Sequence, residues 1–181
     1  MQIIGLAGHM GSGKDLVGKM LSNHGYRRIA FGDALRQEVE AAIASGTLPP
    51  ELPYGIRVLL GGITTEEVWG KPTSDRCRKL LQWWGTEYRR AQDPDYWINK
   101  VRDTMRSIGG KWAVTDVRFP NEANMIAGEG GETWLIRRSV QRNGIPAHIS
   151  ERIDLLSCER VLDNESTIDA LRATVDIAMA A

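Results

Sequence analysis

The stretch Gly8-His9-Met10-Gly11-Ser12-Gly13-Lys14-Asp15 constrains this chain more than any other. It follows G-x-x-x-x-G-K-[ST] through Lys14 and departs only at the end, where Asp15 replaces the serine or threonine that helps hold magnesium. Such a loop needs glycines so that backbone N–H groups can turn inward. It also needs a strand before it and a helix N-terminus behind it. Residues 2–7 read as a short buried strand carrying Ile3, Ile4 and Leu6. Residues 14–23 read as a helix with Leu16, Val17, Met20 and Leu21 on one face. Gly11, Ser12, Gly13, Lys14, Asp15 and Leu16 then form the expected ATP-binding run, with Lys14 as its mobile positive charge. The plainer alternative is a glycine-rich turn at a sheet edge, and the strand–loop–helix context argues against it.

The rest of the chain keeps alternating. Residues 27–31 read as a second strand, broken by Gly32-Asp33, with Asp33 capping a helix to about residue 45. Helices are expected at 74–90 and 95–107, separated at Asp93-Pro94 because proline disfavours helix in the residue before it. Further strands are expected at 111–117, 133–136 and 160–162, and helices at 121–128 and 166–178. Ser166 and Asp169 suggest a capping box for the last helix. Residues 46–72 are proline-rich and read as an irregular insert with one short helix near 65–69. Five strands interleaved with helices make an α/β fold with a mostly parallel five-stranded sheet.

Composition excludes more than it selects. The 181 residues carry 23 basic and 23 acidic side chains, so no excess positive charge is available for coating a nucleic-acid polymer. No apolar run approaches the roughly 20 residues of a membrane span, and the N-terminus lacks the features of a signal peptide. Cys77 and Cys158 show no metal-ligand spacing and read as reduced thiols of a cytoplasmic protein.

Two acids are candidates for magnesium. Asp15 either contributes a hard oxygen ligand or only supports the first helical turn, and the sequence leaves both open. Asp116 ends the apolar run Trp112-Ala113-Val114-Thr115, and the carboxyl edge of a parallel sheet is where a metal-binding or catalytic carboxylate is expected. Arg118 can point the same way and neutralise phosphate. Arg137, Arg138 and Arg142, around Gly144 and Pro146, read as a lid over ATP at 137–150, with an exposed basic loop as the alternative. His148 is not needed as a base. Of the adjacent Trp83 and Trp84, one should face the core and the other a pocket or an interface. Trp112 and Trp134 should be core.

GHMGSGKD, RKLLQWWGTEYRR, DPDYWINKV, TDVRFPNEA, AHISE and VLDNESTIDAL, in that order, resemble the deoxynucleoside monophosphate kinases of bacteriophages. The resemblance covers all but residues 46–72, and in that family the loop commonly ends in Lys-Asp. It implies transfer of the ATP γ-phosphate to a deoxynucleoside 5′-monophosphate with magnesium, in the host cytoplasm if the chain is phage-encoded. It also implies a three-layer nucleoside-monophosphate-kinase-like fold forming one domain over 1–181. Within it, 33–110 would be the monophosphate-binding helical region and 137–150 a small lid. By matched position, Arg36 and Arg78 would bind the acceptor phosphate, Gly85 and Thr86 would line the nucleoside pocket, and Trp97 would pack on the deoxynucleoside. Asp116 and Arg118 would sit beside the reacting groups. A homodimer is kept as an expectation. The alternatives are another small phosphate-loop kinase, such as one acting on a coenzyme precursor, a kinase of a modified base in DNA, and a nucleotide-binding regulatory module.

Overall fold

The computed structural model describes residues 1–71, 73–139 and 155–180. Its strands are β1 (Gln2–Ala7), β2 (Arg27–Ile29), β3 (Lys111–Val117), β4 (Glu132–Arg137) and β5 (Arg160–Asp163). They form one sheet in the order β2-β3-β1-β4-β5, and every pairing is parallel. The expectation of a mostly parallel sheet is thus met in full. Parallel strands need crossovers, and helices supply those that join β1 through β4. The helices are α1 (Lys14–Asn23), α2 (Phe31–Ser45), α3 (Tyr54–Leu60), α4 (Thr65–Trp69), α5 (Asp75–Gln82), α6 (Tyr96–Ile108), α7 (Pro120–Gly128) and α8 (Ile168–Ala180). A π-helical segment, Trp83–Arg90, continues α5. Among the described residues, no helix is long and apolar enough to cross a membrane.

The chain packs into two compact units, residues 1–31 with 101–181, and residues 32–100. In the first, alternation along β1 sorts the core. Ile4 and Leu6 join Val17, Met20 and Leu21 of α1 and Leu171 and Val175 of α8, with Trp134 and Ile136 of β4. The opposite face carries Gly5, where an added Cβ would strike Ile126 of α7 at 2.5 Å. Helices therefore cover both faces of a sheet whose central strands β3, β1 and β4 are mostly buried, the arrangement that parallel sheets require. Trp112 and Trp134 are both core, 5% and 1% exposed.

The second unit is helical. Its 46–71 stretch is more ordered than its prolines suggested. Beside the expected short helix α4, capped by Thr64 Oγ1 accepting from the Glu67 N–H at 3.2 Å, it holds α3. Glu67 is tied to Ser74 Oγ at 2.6 Å and to the Arg76 guanidinium. Trp84 is buried and Trp83 half-buried, stacking on Tyr88 with centroids 5.4 Å apart.

Three boundaries differ from the sequence reading. α2 begins at Phe31, two residues before Asp33, because Asp116 Oδ1 accepts from the Phe31 N–H at 2.8 Å and caps the helix from the sheet. The helix expected across 74–90 becomes π-helical after Gln82. α8 is opened by Thr167, not Ser166: Thr167 Oγ1 accepts from the Ala170 N–H at 3.2 Å.

Candidate functional site

The strand order places β3 on one side of β1 and β4 on the other, so β1 marks the point where crossovers diverge. Open α/β sheets bind ligands in the crevice at the carboxyl ends of strands at that point. Gly8–Lys14 leaves β1 there and runs into the N-terminus of α1. Two glycines make the loop possible. Gly8 has φ 146°, and an added Cβ would lie 2.5 Å from the Ile136 carbonyl oxygen and 2.6 Å from Ser12 Oγ. Gly13 has φ 102°, and its Cβ would fall on the Asn164 amide nitrogen. No side chain larger than hydrogen fits either place.

Lys14 is half-buried rather than solvent-facing. Its Nζ donates to the Gly8 carbonyl at 2.6 Å and the His9 carbonyl at 2.7 Å. Burial holds its pKa down at about 8, helped by the positive charge of Arg118 and opposed by Asp15 and Asp116. Four predicted residues therefore share one electrostatic neighbourhood at the carboxyl edge. Asp15 and Arg118 are exposed, and Asp116 is half-buried. Asp15 lies in the first turn of α1, where the helix dipole favours negative charge. The two carboxylates are hard oxygen donors of the kind magnesium takes.

Glu122 was quoted in the sequence only as part of a stretch, yet it shapes this edge. It is 2% exposed, and its Oε2 accepts from the Arg118 N–H at 2.7 Å and the Phe119 N–H at 3.1 Å. That bracket fixes the turn carrying Arg118 after Asp116. Its signal is a glutamate at the third position of a helix that starts with proline. Glu122→Ala leaves two part-buried backbone donors without their acceptor and should destabilise the protein by about 1 to 2 kcal/mol. A chemical denaturation midpoint unchanged from wild type would show that the bracket contributes nothing.

The expected lid residues split. Arg137 is exposed and paired with Asp163 at 2.5 and 2.9 Å. Arg138 is exposed. Arg142, Gly144, Pro146 and His148 lie outside the described residues.

In the helical unit, Arg36 is spread across three acceptors. Its Nε donates to the Val68 carbonyl at 2.9 Å, its Nη2 to Thr73 Oγ1 at 3.3 Å and its Nη1 to the Gly32 carbonyl at 3.5 Å. It thereby braces α4 against α2. Arg78 is half-buried on α5, and Thr86 is half-buried in the π-helical segment. Trp97 is 2% exposed, with its indole N–H donating to the Gly85 carbonyl at 3.0 Å, so most of its ring is already packed against protein. Beside it stands a residue that the sequence reading passed over. Glu38 accepts from Trp84 Nε1 at 3.0 Å and Arg89 Nε at 2.6 Å through one oxygen. Through the other it accepts from Tyr96 Oη at 2.6 Å and Lys100 Nζ at 3.0 Å.

The likeness to solved structures is one of fold, a phosphate-loop kinase-like one. The chain superimposes on dephospho-CoA kinase from Campylobacter jejuni with a TM-score of 0.50 and 12% identity, covering 99% of this chain and 96% of the other. Against TT1252 from Thermus thermophilus the TM-score is 0.50 and the identity 17%, covering 98% and 96%. In sequence, the chain is 37% identical over 115 residues to the uncharacterized protein ORF77 of Ictalurid herpesvirus 1 (strain Auburn). That match takes in 59% of this chain and 50% of the relative, so the chain spans about half the length of the curated relative it matches. No family model matches the chain.

Proposed function

We propose that this chain is an ATP-dependent phosphotransferase of the phosphate-loop kinase type, acting on a small nucleotide acceptor. The observation that carries the reading is the Gly8–Lys14 loop at the diverging strand, with Lys14, Asp15, Asp116 and Arg118 in one field. Phosphoryl transfer asks for little covalent work. It asks for two polyanions held in line and their charge neutralised. The loop amides and Lys14 bind the β- and γ-phosphates of ATP. Asp15 and Asp116 are the residues that would hold magnesium, which when bound supplies further neutralisation of the phosphates. Arg118 balances charge that spreads over the transferred group. An acceptor oxygen forms a bond to the γ-phosphorus, the bond to the β,γ-bridging oxygen breaks, and ADP leaves. The 1–181 chain acts as one kinase domain, with 33–110 serving the acceptor and 137–150 the donor. We place it in the cytoplasm.

For the acceptor, two readings have support. The ordered sequence stretches and the Lys14-Asp15 ending favour a deoxynucleoside 5′-monophosphate. Its acceptor oxygen is already ionised, so no base is required. Arg36 and Arg78 would then bind the acceptor phosphate, with Gly85, Thr86 and Trp97 around the nucleoside. The fold neighbour described as dephospho-CoA kinase supports a coenzyme-precursor acceptor more directly than it supports a monophosphate. A hydroxyl acceptor must lose a proton, and on that reading Asp116 would take it, leaving the metal to Asp15.

The deciding experiment is ADP release with ATP and magnesium against deoxynucleoside monophosphates, ribonucleoside monophosphates and dephospho-CoA, one at a time. Release with a deoxynucleotide supports the first reading, and release with dephospho-CoA alone replaces it with the second. Silence with every acceptor, with ATP still bound, moves the chain to the regulatory-module reading. Arg78→Ala should raise the KM for the accepted monophosphate at least about tenfold while leaving the ATP KM within about twofold. Equal effects on both would remove Arg78 from the acceptor subsite.

A further inference from the structure

We propose that Asn164 is a positioning residue of the phosphate loop, one that aims the Gly13 N–H at bound phosphate by holding the Ser12 carbonyl. The inference rests on the phosphate-loop reading and assigns a role to a residue outside the loop. Asn164 follows β5 and is 7% exposed. Its side-chain amide donates to the Ser12 carbonyl at 2.8 Å across 152 residues of sequence. Its backbone N–H donates to the Arg137 carbonyl at the end of β4, also at 2.8 Å.

The consequence follows from peptide geometry. A trans peptide is planar, with its C=O and N–H pointing in opposite directions. Drawing the Ser12 carbonyl toward Asn164 turns the Gly13 N–H away from Asn164. Among the described residues, no protein group accepts from that N–H. Glycine at position 13 makes the tether necessary. With no Cβ, the Ser12–Gly13 peptide can flip at little steric cost, and in the flipped state a carbonyl oxygen would replace the N–H facing an anion. The Ser12 N–H donates to the His9 carbonyl at 3.1 Å, but that bond holds the preceding peptide rather than the Ser12–Gly13 one. The Ser12 Oγ is buried, with the residue 1% exposed, and has no partner among the described residues.

Asn164 is itself held on both sides. Asp163 pairs with Arg137, and Glu165 Oε1 accepts from the Ser139 N–H at 2.5 Å and Ser139 Oγ at 3.0 Å. The triplet Asp163-Asn164-Glu165 thus grips residues 137–139 while its central side chain fixes the loop.

The test uses the full chain, ADP with magnesium, and Asn164→Asp, which keeps the shape and removes the donor. Two quantities are read: the ADP affinity by calorimetry, and the Gly13 amide proton shift on saturation with ADP by NMR. In wild type the Gly13 resonance should move downfield as its N–H engages phosphate. In Asn164→Asp the affinity should fall about tenfold, and the Gly13 shift should be largely lost at saturation, with the melting temperature within about 5 °C of wild type. Asn164→Ala should give the same result, assigning the loss to the missing donor rather than to the added charge. ADP affinity within twofold of wild type, or a retained Gly13 shift, would overturn the proposal. So would loss of folding in both variants, which would make Asn164 structural alone. Failure of the wild-type protein to bind ADP would instead sink the phosphate-loop reading itself, so the two failures are distinguishable.

Discussion

Lys14→Ala should reduce phosphoryl transfer at least about a thousandfold, on the order of 4 kcal/mol of transition-state stabilisation, while the protein still folds. The loop amides survive the substitution, so ADP binding should weaken far less than turnover. Folding should survive because the ammonium is not a net anchor: burial opposes its charge and holds its pKa at about 8. Lys14→Gln, which can still donate to the Gly8 and His9 carbonyls, should show the same loss of turnover. Normal turnover in either variant would remove the phosphate-loop kinase reading. The lowered pKa gives a second signature. At pH 9 most Lys14 side chains in the free protein are neutral, and a phosphate dianion beside them favours the charged form. ADP binding at that pH should therefore take up a proton, read as a dependence of the calorimetric heat on buffer ionisation enthalpy. At pH 6.5 the lysine is already charged and the uptake from it should vanish. Lys14→Ala should show none from this source at either pH.

What could be read from the sequence was whatever depends on local spacing. The glycines of the loop are legible because backbone inversion and close approach exclude other residues. Asp116 is legible because an acid ends an apolar strand that can only be buried. The unread features depend on partners far along the chain. Asn164 acts on Ser12 from 152 residues away, and Asp116 caps Phe31 from 85 away, which moved the start of α2. The four partners of Glu38 lie 46 to 62 residues downstream, so nothing near QEVE marks it as a hub. Prolines around 46–72 hid α3, since helix propensity says nothing about a segment whose order comes from tertiary contacts. Arg36 shows the opposite limit. An arginine at a matched position reads as a phosphate ligand, yet here it also holds the Val68 carbonyl.

Glu38 should make the protein acid-sensitive in a window that a single substitution can erase. Burial alone would raise its pKa. The hydrogen bonds from Trp84, Tyr96, Lys100 and Arg89 outweigh burial and hold it down at about 2. The side chain is only 14% exposed, so solvent screening leaves much of this effect intact. In the unfolded chain the same carboxyl titrates near the ordinary glutamate value of about 4.3. The folded state therefore binds the proton less tightly, and the stabilisation is fully present above that ordinary value. As pH falls toward 2 the unfolded state takes up the proton first, and about 3 kcal/mol should be lost across the window. In Glu38→Gln the carboxyl is gone, so stability between pH 5 and 2 should decline less steeply than in wild type by that amount. At pH 7 the same variant should be less stable than wild type, because Arg89 and Lys100 lose the charge they share. Parallel stability curves for wild type and Glu38→Gln from pH 5 to 2 would show that the carboxylate is not the acid-labile element. Trp84 supplies an optical readout, since its indole N–H donates to Glu38. Its fluorescence should change with the same midpoint as unfolding in wild type, and that acid-dependent component should disappear in Glu38→Gln.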